Sequence, residues 1–130
     1  MAQSCLIVDD STVIRRIVKQ IMEGFGFVCR EAENGAVALD SCIAEMPNLI
    51  TLDWNMPVMN GLEFLQKLRA TAGGQSPAVL FCTTEHEMSF IQRALEAGAT
   101  DFIMKPFDQE IMRTKLVQNN LIEDQIEDQA

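Results

Sequence analysis

Basic residues are scarce in this chain: ten lysines and arginines stand against nineteen aspartates and glutamates over 130 residues, for a net charge of -9. Such a field repels phosphate backbones and anionic lipid, so neither nucleic acid nor a membrane surface is expected as a partner. The one basic cluster is Arg15, Arg16 and Lys19. Long hydrophobic runs are missing too. The opening MAQSCLIVDD has four apolar residues before two acids, too few for a signal peptide, and no run approaches a membrane span. Cys5, Cys29, Cys42 and Cys82 form no CxxC, and three of them lie in strand-like apolar runs. Disulfides and a zinc site are therefore not expected, and a reducing, cytoplasmic setting is. The only histidine, His86, follows Glu85 in a loop, where a solvated ring is expected. At this length one domain is expected.

What is present is a rhythm. CLIV (5–8) has strand character, and Val13, Ile14, Ile17, Val18, Ile21, Met22 and Phe25 follow it on one helical face, punctuated by Gly24 and Gly26. FVCREAE (27–33) reads as a second strand; Asn34 caps a helix through Ala36, Leu39, Ile43 and Met46, closed by Pro47. LITLD (49–53) is a third strand, and Gly61 opens a helix with Leu62, Leu65 and Leu68 inward. AVLFCT (78–83) precedes a helix carrying Met88, Ile91, Ala94 and Leu95 to Gly98. TDFIM (100–104) precedes one capped by Asp108, with Ile111, Met112 and Leu116 inward. Five βα units with short connections predict a doubly wound α/β sandwich, a parallel sheet with helices on both faces. IEDQIEDQ repeats four residues in tandem, so residues 1–122 are expected to form the domain and 123–130 an acidic tail that frays.

In such a sheet the functional crevice lies beyond the carboxyl ends of the strands. Strand one delivers Asp9 and Asp10 there, strand three Asp53, strand four Thr83 and Thr84, and strand five Lys105 with Pro106. Three converging carboxylates repel one another unless a cation sits among them, and an all-oxygen donor set favours magnesium. A lysine and a hydroxyl beside them suit a phosphoryl group, with an aspartate as the nucleophile that forms an acyl phosphate. Taken singly these residues have plainer readings: Asp10 as a cap of the first helix, Thr83 as a partner for backbone groups, Met56 and Met59 as packing.

LIVDDS, LDWNMPVMNG, CTTE and FIMKPF, in that order and with the βα rhythm between them, resemble the receiver domain of two-component response regulators across residues 4–121. The resemblance is greatest to the stand-alone receivers of chemotaxis. It implies a flavodoxin-like sheet of order 2-1-3-4-5. It also implies Asp53 as phosphorylation site, Mg2+ held by Asp9, Asp10, Asp53 and the Asn55 carbonyl, Thr83 as switch hydroxyl and Lys105 as phosphate-binding lysine. Phe102 falls at the switch aromatic position, and Lys105–Pro106 at a cis peptide. Asn55, Thr84 and Glu85 fall at positions that tune loss of phosphate, the Asn55 and Glu85 pair implying fairly fast loss. Phe102 stands where a tyrosine is common, so a switch using a phenolic hydroxyl is excluded, and Thr84 stands where a smaller residue is frequent.

The implied partners are a histidine kinase or histidine phosphotransfer domain and a downstream protein, the flagellar motor switch being one candidate, met through the face of helix 4, strand 5 and helix 5. The protein is then a signalling domain, not an enzyme, and a monomer or weak phosphorylation-dependent dimer. The basic cluster on helix 1 offers an acidic partner a docking point or is a solvated face. Alternatives are a phosphorelay intermediate or phosphate sink, a magnesium-dependent phosphohydrolase, and a flavodoxin-like cofactor binder. DWN lacks the second carboxylate of the phosphohydrolases, and no hydroxyl-rich phosphate loop follows LIVDD.

Overall fold

The structure is a computed structural model that describes residues 2–123, the side chains of Glu85 and His86 excepted. The expected tail lies outside the described residues beyond position 123, as do the side-chain readings of Glu85 and His86. Five βα units follow one another: β1 (Ser4–Val8), α1 (Thr12–Gly24), β2 (Val28–Ala32), α2 (Gly35–Ala44), β3 (Leu49–Asp53), α3 (Gly61–Ala70), β4 (Ala78–Thr83), a 3-10 segment (Glu85–Phe90), α4 (Ile91–Glu96), β5 (Asp101–Met104) and α5 (Gln109–Gln118). The strands are parallel in the order β2-β1-β3-β4-β5, the flavodoxin-like arrangement.

Alternation along the strands sorts side chains into two cores. Leu6, Val8, Ile50, Leu52, Val79 and Phe81 face α2, α3 and α4, meeting Ala38, Cys42, Phe64, Leu65, Leu68 and Ala94. Cys5, Ile7, Leu49, Leu80, Cys82 and Ile103 face α1 and α5, meeting Val18, Met22, Met112 and Leu116. All five residues of β3 are buried, as a central parallel strand covered on both faces requires. Each fully buried leucine or phenylalanine contributes about 1.5–3 kcal/mol relative to an exposed one.

Helix starts are set by short polar side chains. Ser11, Asn34, Asn60 and Asp108 accept hydrogen bonds from the backbone N–H three residues on, and Glu63 reaches back to the Asn60 N–H to complete a capping box. Because Ser11 caps α1, Asp10 is not its cap and remains an exposed carboxylate at the end of β1.

Three expectations change. In α2 the inward residues are Ala38 and Cys42, and Ile43 is 60% exposed, because the face carrying Ala38 and Cys42 is the one that packs into the core. The fourth helix begins as 3-10 and has only Ala94 buried, so Met88 and Leu95 are partly exposed, at 39% and 43%. In α5 Met112 and Leu116 face inward while Ile111 turns outward. At the N-terminal pole of the sheet, Ala2, Gln3, Phe25, Phe27, Leu121 and Ile122 line one shallow pocket. A five-residue strand rises about 17 Å, which separates that pole from the strand ends where the polar groups gather.

Candidate functional site

The carboxyl ends of β1 and β3 bring Asp9, Asp10 and Asp53 together, each offering an oxygen within 4.8 Å of the others. Asp9 and Asp53 are buried and Asp10 is exposed. The Asp9 carboxylate is oriented by the Ser11 N–H, which donates to Oδ1 at 2.9 Å. From the end of β5, Lys105 Nζ reaches Asp53 Oδ1 at 2.8 Å and Asp9 Oδ2 at 3.5 Å. The Lys105–Pro106 peptide is cis.

One lysine does not balance three acids. Burial raises the Asp53 carboxyl above its ordinary value and the Asp9 charge adds to this, while the hydrogen bond and charge of Lys105 offset only part. Burial alone would lower the Lys105 ammonium, but the hydrogen bond to Asp53 and the charges of Asp53 and Asp9 outweigh it and leave it raised. Hard oxygen donors converging on a few ångströms, with one face open at Asp10, suit a divalent magnesium ion.

Thr83 ends β4 fully buried; its hydroxyl donates to the Thr84 carbonyl at 3.2 Å, and its own carbonyl accepts from the Lys105 N–H at 2.6 Å. The hydroxyl thus has a local backbone partner and no described bond to Asp53 or Lys105. Thr84 and Lys105 border an apolar groove whose other walls are Ile14, Ile17, Val18, Pro106 and Phe107. Phe102 is half-buried on β5, with Lys115 Nζ 4.4 Å from its ring centre and 3.2 Å from the Asp101 carboxylate. Trp54 is buried beside Asp53, edge-on to Phe81 and stacked on Phe90 with ring centres 4.7 Å apart. Met56 and Met59 pack against the core, as their packing reading has it.

The loop after β3 is held from both sides. Gly61 donates its N–H to the Trp54 carbonyl at 2.9 Å, and a Cβ at Gly61 would overlap the Asp53 carbonyl. Gly35 donates to the Met59 carbonyl at 3.0 Å, where a Cβ would sit 2.6 Å from that oxygen. Between them Val58 has φ +70°, and the Met59 N–H donates to the Pro57 carbonyl at 2.7 Å, a γ-turn of the strained, positive-φ kind.

The part that two side chains play at the site escaped the sequence reading. Glu87 accepts from the Asn55 side-chain amide at 3.0 Å and from the Thr84 N–H at 3.1 Å; the signal was the T-x-x-E spacing of Thr84 and Glu87. Arg15 donates to the Asp9 carbonyl at 2.7 Å and pairs with Glu31 at 3.0 Å, and Lys19 lies 3.8 Å from the same Glu31. The basic cluster is thereby partly neutralised, with Arg16 left exposed.

A flavodoxin-like sheet carrying an acidic triad and a lysine at its carboxyl edge defines an α/β domain with a charged site at its strand ends, and comparison with known proteins narrows the class. Residues 5–117 match the family model described as the response regulator receiver domain. The chain belongs to that family. It is 35% identical to chemotaxis protein CheY1 of Helicobacter pylori over 85% of this chain and 91% of the relative, and 38% identical to chemotaxis protein CheY of Bacillus subtilis over 82% and 88%. The structure of chemotaxis response regulator CheY4 of Vibrio cholerae superposes with a TM-score of 0.85 at 31% identity, covering 92% of this chain and 99% of that one. The chain is thus a CheY-like receiver domain, a signalling domain of the kind used in two-component systems. Among the described residues no helix is long and apolar enough to cross a membrane.

Proposed function

We propose that this protein is a chemotaxis or motility regulator switched by phosphorylation of Asp53, with the phosphoryl group supplied by a histidine kinase or phosphotransfer domain. The observation that carries this is the convergence of Asp9, Asp10 and Asp53 within 4.8 Å with Lys105 seated 2.8 Å from Asp53. Asp9, Asp10, Asp53 and the Asn55 carbonyl would hold Mg2+, which screens the carboxylates from the incoming phosphoryl group and supports its transfer. An Asp53 carboxylate oxygen forms the new bond to phosphorus as the bond from phosphorus to the donor imidazole nitrogen breaks. Lys105 neutralises the phosphoryl oxygens. Thr83 exchanges its hydrogen bond to the Thr84 carbonyl for one to a phosphoryl oxygen, which vacates space for the Phe102 ring.

That exchange biases the surface of α4, β5 and α5, through which a downstream protein such as a flagellar motor switch is read, in the cytoplasm. Phe102 acts by ring packing alone. The test is intact-mass spectrometry after incubation with acetyl phosphate and magnesium. A gain of one phosphoryl group, about 80 Da, is expected for the native chain. Asp53→Asn or omission of magnesium abolishes it. The same gain in Asp53→Asn would refute the assignment.

A further inference from the structure

Asn55 sits in the loop after β3 and Thr84 at the end of β4, and among the described residues one side chain bonds to both. Each oxygen of the Glu87 carboxylate takes one donor: Oε2 the Asn55 amide at 3.0 Å, Oε1 the Thr84 N–H at 3.1 Å. The bond to Thr84 is the ordinary return contact of a capping box. The bond to Asn55 has no part in starting the 3-10 segment. It spans 32 residues of sequence and fixes a residue whose main-chain carbonyl belongs to the proposed magnesium site.

We propose that Glu87 is a positioning residue for that site, latching the loop after β3 to the 3-10 segment (Glu85–Phe90) through Asn55. The inference rests on the magnesium reading above and adds to it a residue that neither the motifs nor the carboxylate triad identify. Pinning the Asn55 side chain restricts rotation of its peptide, so the carbonyl is held in place before a cation arrives. The linkage is reciprocal. Whatever Glu87 gives to magnesium affinity, magnesium returns as order in the 3-10 segment. That segment ends at Phe90, stacked on Trp54, so the latch gives metal binding a direct path to α4.

Glu87→Gln weakens one contact and spares the other: glutamine keeps its one carbonyl oxygen for the Thr84 N–H, its amide cannot accept from the Asn55 amide, and an overturned Asn55 could regain only a neutral bond without the charge. The experiment is a magnesium titration followed by Trp54 fluorescence in the native chain, Glu87→Gln, Asn55→Ala and the double variant. Glu87→Gln is expected to weaken magnesium binding about fivefold, the order of one half-exposed charge-assisted hydrogen bond. In the Asn55→Ala background, which keeps the carbonyl but lacks the amide, the same substitution is expected to change nothing further.

Amide exchange in Met88 and Phe90 slows on adding magnesium to the native chain and not to Glu87→Gln. A fivefold loss that persists in the Asn55→Ala background would show that the lost charge acts through space and would overturn the latch. So would an unchanged affinity in Glu87→Gln. A native chain that gives no magnesium response by fluorescence or exchange would instead overturn the magnesium reading, and the latch with it.

Discussion

Replacing Val58 by glycine should make the protein more stable although it removes a side chain. Val58 is 81% exposed, so its methyl groups contribute little burial, and its φ of +70° is one that a β-branched residue adopts only under constraint. The constraint is visible in the 2.7 Å hydrogen bond closing the γ-turn and in the two glycine contacts that clamp the loop. Holding a non-glycine residue there costs about 1–3 kcal/mol, and glycine removes most of it. Against this, glycine adds about 0.5–1 kcal/mol of unfolded-state entropy. A net gain of about 1 kcal/mol remains, or roughly 3–5 °C in Tm for a domain of this size. Urea unfolding should show a higher midpoint at unchanged slope. Val58→Ala, which is less strained than valine but not relieved, should fall between. The same freedom loosens the loop, so magnesium affinity should fall as stability rises. A glycine variant that is less stable than the native chain would refute the reasoning.

Asp53→Asn should stabilise the metal-free protein at pH 7, since burial raises the native carboxyl and makes its charge a net cost. Because the native Asp53 binds its proton more tightly than the unfolded chain does, wild-type stability from this group recovers as pH falls from the raised value toward 3.8. The advantage of the asparagine variant should therefore fade over that window in urea melts, and magnesium should reverse it at neutral pH by stabilising only the native aspartate. Arg69→Lys should cost about 1–3 kcal/mol, because the guanidinium alone bonds the Gly74, Pro77 and Gly98 carbonyls at once; an unchanged urea midpoint would contradict this. Native alkylation should modify Cys29 alone, since burial pushes Cys82 to about 12 and Cys42 to about 11, and Cys5 is fully buried. Peptide mapping of iodoacetamide-treated protein checks this.

The sheet was legible because each strand is a short apolar run ending in a polar residue, a pattern that survives without knowledge of contacts. Helix faces were less so. Ile43 and Ile111 fit a helical period as well as Cys42 and Met112 do, and only the sheet beneath decides which side is inward. Topology alone puts Asp9, Asp10, Asp53 and Lys105 at strand ends, and the structure has them near one another there. What the pattern could not show is the local geometry that tensions them: the turn at Val58, the Arg15 contact to the Asp9 carbonyl and the Glu87 bridge all depend on groups meeting in space, the last two across 6 and 32 residues of sequence. Periodicity carries no record of such meetings.

The shared pocket of Ala2, Gln3, Leu121 and Ile122 places both ends of the described chain together, a strand's length from the carboxylates. Topologically the domain is therefore close to a ring. A short linker between these ends, with the backbone reopened between the exposed Gln75 and Ser76, would give a circular permutant in which every strand keeps its neighbours and Asp53 its surroundings. Such a permutant would turn the order in which the βα units leave the ribosome into an experimental variable, leaving the signalling chemistry as its readout.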